Sequence, residues 1–180
     1  MAPVDDRERL ELFEQKVLPH LDSAFNLARW LAGNDHDAQD VAQEASLRAF
    51  KYFGTFRGDN PRAWLLSIVR NSFHTWLRKN RPAEKTVEMN EDILDIEDPS
   101  ANAEAANAQF ADADTVRRAI AELPVEFREI VILREMEGFS YKEIAELAEV
   151  PIGTVMSRLA RARKLLHKSL TAAFKPGGQQ

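Results

Sequence analysis

Apolar residues recur at helical spacing along most of the chain. Phe13, Val17, Leu21, Phe25, Ala28 and Leu31 form one stripe, interrupted by Pro19, which predicts either two helices or a fresh helix start. Gly33-Asn34 is a stop signal. A further helix begins at Asp35 or Asp37 and carries Val41, Ala45, Ala49 and Phe53 on one face. The glycine-bearing loop Gly54–Asn60 follows. Asn60 is placed to cap the next helix and Pro61 to open it. That helix, running to about Arg81, sets Trp64/Leu65, Ile68/Val69, Ser72/Phe73 and Trp76/Leu77 four residues apart, an amphipathic pattern. From Pro82 to about Phe110 the period lapses. The stretch EDPSANAEAANAQ has little to bury and reads as a flexible linker. Near Asp112 the pattern returns: Val116, Ile120 and Leu123 mark one helix, and Pro124 opens another with Phe127, Ile130 and Val131 inside. The tail KPGGQQ reads as disordered.

The stretch Ser140–Lys168 is the most informative. Ser140 and Glu143 have the spacing of a capping box, and Ile144, Ala145 and Ala148 form a short apolar face. Glu149-Val150-Pro151 is a break, with Pro151 suited to the first turn of a second helix. Val155, Leu159, Ala162 and Leu166 give that helix its buried stripe. Two such helices around a tight turn are a helix-turn-helix, whose second helix enters a DNA major groove. Off its stripe lie Thr154, Met156, Ser157, Ala160, Arg161, Arg163 and Lys164. No acidic residue occurs from Pro151 to Gln180, whereas Arg158, Arg161, Arg163, Lys164, Lys168 and Lys175 are basic. A solvated surface helix usually mixes both signs; a one-signed helix suits a phosphate backbone.

The formal net charge of −5 is at first sight wrong for a DNA binder. Its distribution removes the conflict. Between Ala83 and Asp114 ten acidic residues face one basic residue, Lys85, so that segment's −9 leaves +4 elsewhere. The chain of 180 residues has room for one or two small domains, and it has no cysteine, so disulfides and thiolate metal sites are excluded. A charged start without an apolar core, and no apolar run of spanning length, predict a cytoplasmic protein without membrane insertion.

In the first half, basic and aromatic residues interleave from Phe56 to Arg81, as in single-strand binders. The spacing of Trp64, Phe73 and Trp76 assigns them to a core. Phe56 sits in a loop off the stripe, where it can stack on a base. The other side of the helix carries Arg62, Arg70, Asn71, His74, Arg78 and Lys79. Asp40, Gln43, Glu44 and Arg48 project from the preceding helix as an ordinary solvated face. His20, His36, His74 and His167 have no metal-ligand spacing, and no nucleotide, zinc-protease or nucleophile motif occurs. No catalytic constellation, cofactor or metal is expected.

FSYKEIAELAEVPIGTVMSRLARAR resembles region 4 of bacterial sigma factors, in particular the small extracytoplasmic-function (ECF) group; its GTV-x-SR-x-x-RAR run is the specific part. DAQDVAQEASLRAF resembles the family's core-binding segment, and TFRGDNPRAWLLSIVRNSFHTWLRK the segment that melts and reads the downstream, minus-ten promoter element. The resemblance implies an all-α chain: a region 2-like helical bundle at 1–82, an acidic flexible linker at 83–111 and a region 4-like helix-turn-helix domain at 112–175. It implies that Asp40, Gln43, Glu44 and Arg48 contact the coiled coil of the largest subunit of core RNA polymerase. Phe56 and Asn71 would handle an exposed base, beside Arg62, Arg70, His74 and Arg78. Arg134, Met156, Ser157, Ala160 and Arg161 would face the upstream, minus-thirty-five promoter element, with Thr154, Arg158 and Arg163 on the same helix. An anti-sigma protein is the other implied partner. The alternatives are a helix-turn-helix regulator that works without polymerase, and a sigma mimic that sequesters an anti-sigma protein. The basic-aromatic segment argues against the first, the basic recognition helix against the second.

Overall fold

A computed structural model describes residues 6–81 and 112–174. The acidic segment read as a linker and the KPGGQQ tail lie outside the described residues. Two compact units are distinguished: residues 6–81 with 142–149, and residues 112–141 with 150–174. Among the described residues there is no strand.

In the first unit, α1 (Asp6–Lys16) runs into a 3₁₀ turn at Leu18–His20, and α2 (Leu21–Ala32) follows. Pro19 thus divides two helices, because its ring cannot continue the hydrogen-bond ladder of a helix interior. Gly33 ends α2 at φ 80°, a left-handed conformation in which a side chain would be strained. Asn34 caps α3 (Asp35–Tyr52), its side-chain oxygen accepting from the Asp37 amide. Asn60 caps α4 (Pro61–Asn80) in the same way through Ala63, with Pro61 at the first position.

Helices α2, α3 and α4 pack mutually. From α3 come only small residues, Ala38, Val41, Ala45 and Ala49, all buried, so its neighbours can approach closely. Leu27 and Leu31 of α2 and Leu65, Leu66, Val69 and Phe73 of α4 fill the space between. Trp64 and Trp76, assigned to the core by spacing, are only half-buried at its edge. Arg9 fastens α1: its guanidinium donates to the Phe50 and Lys51 carbonyls at the end of α3, both at 2.9 Å, satisfying oxygens that a helix end leaves open. Phe13 meets Phe50 and Phe53 edge-on beside it. Helix α7 (Tyr141–Ala148) buries Ile144, Leu147 and Ala148.

The second unit has α5 (Ala113–Ala121), α6 (Val125–Val131), a wide π-type turn at Ile132–Met136, and the long α8 (Ile152–Phe174). Helices α5 and α6 pack on α8 through Ile120, Phe127 and Ile130 against the Val155, Leu159 and Ala162 stripe. Arg128 donates to the Ala121 and Leu123 carbonyls at 2.6 and 2.9 Å, closing the end of α5. Pro151 stands one residue earlier than expected. Its carbonyl accepts from the Thr154 and Val155 amides, so it caps α8 rather than lying in its first turn.

Candidate nucleic-acid interface

Helix α8 presents its candidate readers unequally. Met156 is half-exposed, and Thr154, Ser157 and Ala160 lie partly open beside it. Ser157 donates to the Thr154 carbonyl at 3.1 Å, which fixes its hydroxyl on the helix. Arg161 has no hydrogen-bond or ion-pair partner among the described residues, nor have Lys164 and Lys168. Arg158 corrects the sequence reading. Its side chain is 14% exposed, and its Nη1 lies 3.9 Å from Oε1 of Glu129, which is 0% exposed. A charge held inside against a buried carboxylate is not an outward reader. Arg163 leans on Glu135 at 2.8 Å, and that hydrogen bond, with Tyr141 adding to it, holds the guanidinium above its ordinary value. Arg134 is half-buried; it donates to the Phe139 carbonyl at 2.8 Å and lies 4.9 Å from the Tyr141 ring centroid, bracing the chain around Gly138.

The loop after α3 is more ordered by side chains than its glycines suggest. Phe56 is half-buried. Its ring lies 5.1 Å from Trp64 and 6.3 Å from Phe53, centroid to centroid, and Lys16 Nζ is 6.0 Å from it. So Phe56 belongs to an aromatic cluster, not to a free loop tip, and offers only its uncovered part for stacking. Arg57, which the sequence reading passed over, donates to the Gly54 and Phe56 carbonyls and holds the loop's bend. Asn71 is exposed on α4, and Arg70 Nη1 approaches its Oδ1 at 3.4 Å. Arg78 is exposed, while Arg62, Arg70 and His74 are half-buried and engaged. These cations lie along one helix, as a strand's phosphates would need.

On α3, Asp40, Gln43 and Glu44 are exposed. Glu44 accepts from Arg48 at 2.6 Å, one helical turn on. His36, Asp37 and Asp40 converge, with ligand-type atoms within 4.8 Å of one another. Asp37 is already engaged by Asn34 and by Arg81, at 2.6 and 3.0 Å, which ties the start of α3 to the end of α4.

Two family models match in order along the chain: sigma-70 region 2 at residues 17–83, and sigma-70 region 4 at residues 113–166. The RNA polymerase sigma-H factor of Pseudomonas aeruginosa is 36% identical over 169 residues, covering 88% of this chain and 86% of its own length. The chain belongs to the sigma-70 family. Within that family it falls in the ECF group, as does the ECF sigma factor SigM of Mycobacterium tuberculosis, 36% identical over 88% of this chain and 76% of the relative. Among solved structures, the sigma factor RpoE in complex with the anti-sigma factor NepR from Bartonella quintana is similar at a TM-score of 0.68 and 30% identity, over 88% of this chain and 96% of that one. In this sigma factor region 2 thus coincides with the bundle carrying Phe56, Asn71 and the α3 carboxylates, and region 4 with α5 to α8. Among the described residues no helix is long and apolar enough to cross a membrane.

Proposed function

We propose that this sigma factor binds core RNA polymerase in the cytoplasm and directs it to a restricted set of promoters, without catalysing a reaction itself. The observation that carries this is the pair of region models in the family's order on one chain. In this reading Asp40, Gln43, Glu44 and Arg48 meet the polymerase. Asn71 and the open part of Phe56 hold a base extruded from the minus-ten element, with Arg62, Arg70, His74 and Arg78 along the strand. A pocket of this kind is needed because extruding a base costs a few kcal/mol, and one stacking contact returns about 1–3 kcal/mol. Met156, Ala160 and Thr154 offer apolar contact to thymine methyls of the minus-thirty-five element, and Arg161 reaches a guanine edge or a phosphate. Arg158 and Arg163 tie the reading helix to Glu129 and Glu135, and Arg134 braces the chain around Gly138.

The acidic segment 83–111 connects the two working parts. The region 4 match runs through α7 and α8 without a break, which supports assigning both to the DNA-reading part. An anti-sigma protein is a further partner, on the analogy of the RpoE–NepR complex. Charge reversal at Asp40 and Glu44 tests the polymerase assignment. The Asp40→Lys, Glu44→Lys protein should keep its helicity by circular dichroism and lose affinity for core polymerase. Unchanged affinity would return these residues to an ordinary solvated face.

A further inference from the structure

Helix α8 opens on an apolar edge. Ile152, its first residue, is 49% exposed, and Met156, one turn on, is 50% exposed; Ala160, a further turn on, is partly open. Residues four apart are neighbours on a helix surface, so the three form one row. Singly exposed apolar side chains are ordinary. This row lies on a helix with no acidic residue, at the end that a helix-turn-helix sends to the base edges. Gly153 adds to it. Among the described residues nothing from elsewhere in the fold lies within 4 Å of where its Cβ would stand, and its φ is not positive. Neither packing nor backbone conformation calls for glycine there, whereas a bare backbone admits a close neighbour from outside.

The rest of the helix narrows what that edge can read. In the major groove arginine or lysine suits guanine, asparagine or glutamine suits adenine, and a carboxylate suits cytosine; an apolar side chain meets the C5 methyl of thymine. Between Ile152 and Phe174 there is no asparagine, glutamine, aspartate or glutamate. Hydroxyls serve more than one base, and that of Ser157 is already donated to the Thr154 carbonyl. Arg158 and Arg163 are held by Glu129 and Glu135. Arg161 is left for a guanine edge or a phosphate, and further discrimination in the first turns falls to apolar contact. We propose that Ile152 is a specificity-determining residue: with Met156 it reads thymines of the upstream element by their methyl groups, each side chain at its own base pair. At ~1.5 Å rise per residue the two start about 6 Å apart along the axis, enough to meet different base pairs. This deepens the minus-thirty-five function proposed above and rests on it.

The test uses holoenzyme formed from core polymerase and the full-length protein. Duplexes are first selected from a pool randomised around the upstream element. Each thymine of the selected element, on either strand, is then replaced singly by deoxyuridine, which removes the methyl and nothing else. The wild type should lose about threefold to fivefold in affinity at two of these positions, the worth of one buried methyl. Ile152→Ala should abolish the penalty at one of them and Met156→Ala at the other, each with an unchanged melting temperature and unchanged affinity for core polymerase. Deoxyuridine that costs the wild type nothing at any position, or penalties that all survive in Ile152→Ala, would overturn the proposal; weakened binding by Arg161→Ala in the same series would leave the DNA-reading assignment standing. A loss in Ile152→Ala that is uniform across duplexes would make the residue structural, and a loss of polymerase affinity would place it against that partner; either result overturns the proposal. Failure of the holoenzyme to select any upstream element would remove the DNA-reading assignment and the proposal together.

Discussion

Arg158 and Arg161 stand three residues apart on one helix and do opposite work. Arg158 faces Glu129, which has no exposed side-chain surface. Removing one partner of a buried pair leaves the other charge stranded, at a cost of about 3 kcal/mol. Arg158→Ala should therefore lower the unfolding midpoint of the full chain in urea. Among the described residues Arg161 has no partner to strand. Arg161→Ala should leave stability unchanged and weaken duplex binding. If the residue reads a guanine, the loss is about 1–3 kcal/mol at one position of the upstream element; if it meets a phosphate, the loss is uniform across sequences and the salt slope is smaller. The sequence displayed both arginines as members of one basic helix. Their difference was not legible, because the acids that claim Arg158 and Arg163, Glu129 and Glu135, lie 29 and 28 residues earlier and on other elements. The Arg163 guanidinium is raised above its ordinary value in the folded state. Its contribution is thus fully present below the unfolded value and is lost only as pH rises through the folded one. Salt, not pH near neutrality, is the lever on that half-exposed pair.

Among elements, caps and breaks were the most legible signals. Gly33, Asn60 and Pro61 act at helix ends as the sequence indicates, and Asn34, legible only as part of a stop, also caps α3. The turn after α7 is less ideal. Glu149 has φ 56°, a left-handed conformation that glycine adopts without strain. Glu149→Gly should stabilise the chain by about 0.5–1 kcal/mol, read as a higher melting temperature. Spacing alone misjudged α4. It assigned Trp64 and Trp76 to the core and omitted Leu66, whereas Leu66 is fully buried and both tryptophans sit at the edge. A helix flanked by two others buries a wide arc, and a four-residue stripe understates it. The same edge position brings Trp64 onto Phe56, so Phe56→Ala mixes lost packing with lost stacking. Asn71 is the cleaner probe. Asn71→Ala should slow promoter opening, followed with a fluorescent base analogue in the minus-ten element, without changing the melting temperature.

For the whole molecule, the order of the parts said more than any single motif. A basic helix-turn-helix, a basic-aromatic helix and an acidic stretch between them each have ordinary explanations. Their sequence along one chain matches the sigma-70 regions. The net charge of −5 hides this arrangement, since the acidic stretch outweighs the basic faces on either side.

The most direct measurement of the central claim is transcription in vitro with purified core RNA polymerase, with and without this chain, followed by mapping of every start site. The account expects a small set of new starts that depend on the chain and share an upstream and a downstream element at fixed spacing. The same start sites with and without the chain, or sequence-specific DNA binding by the chain without any new start, would contradict it.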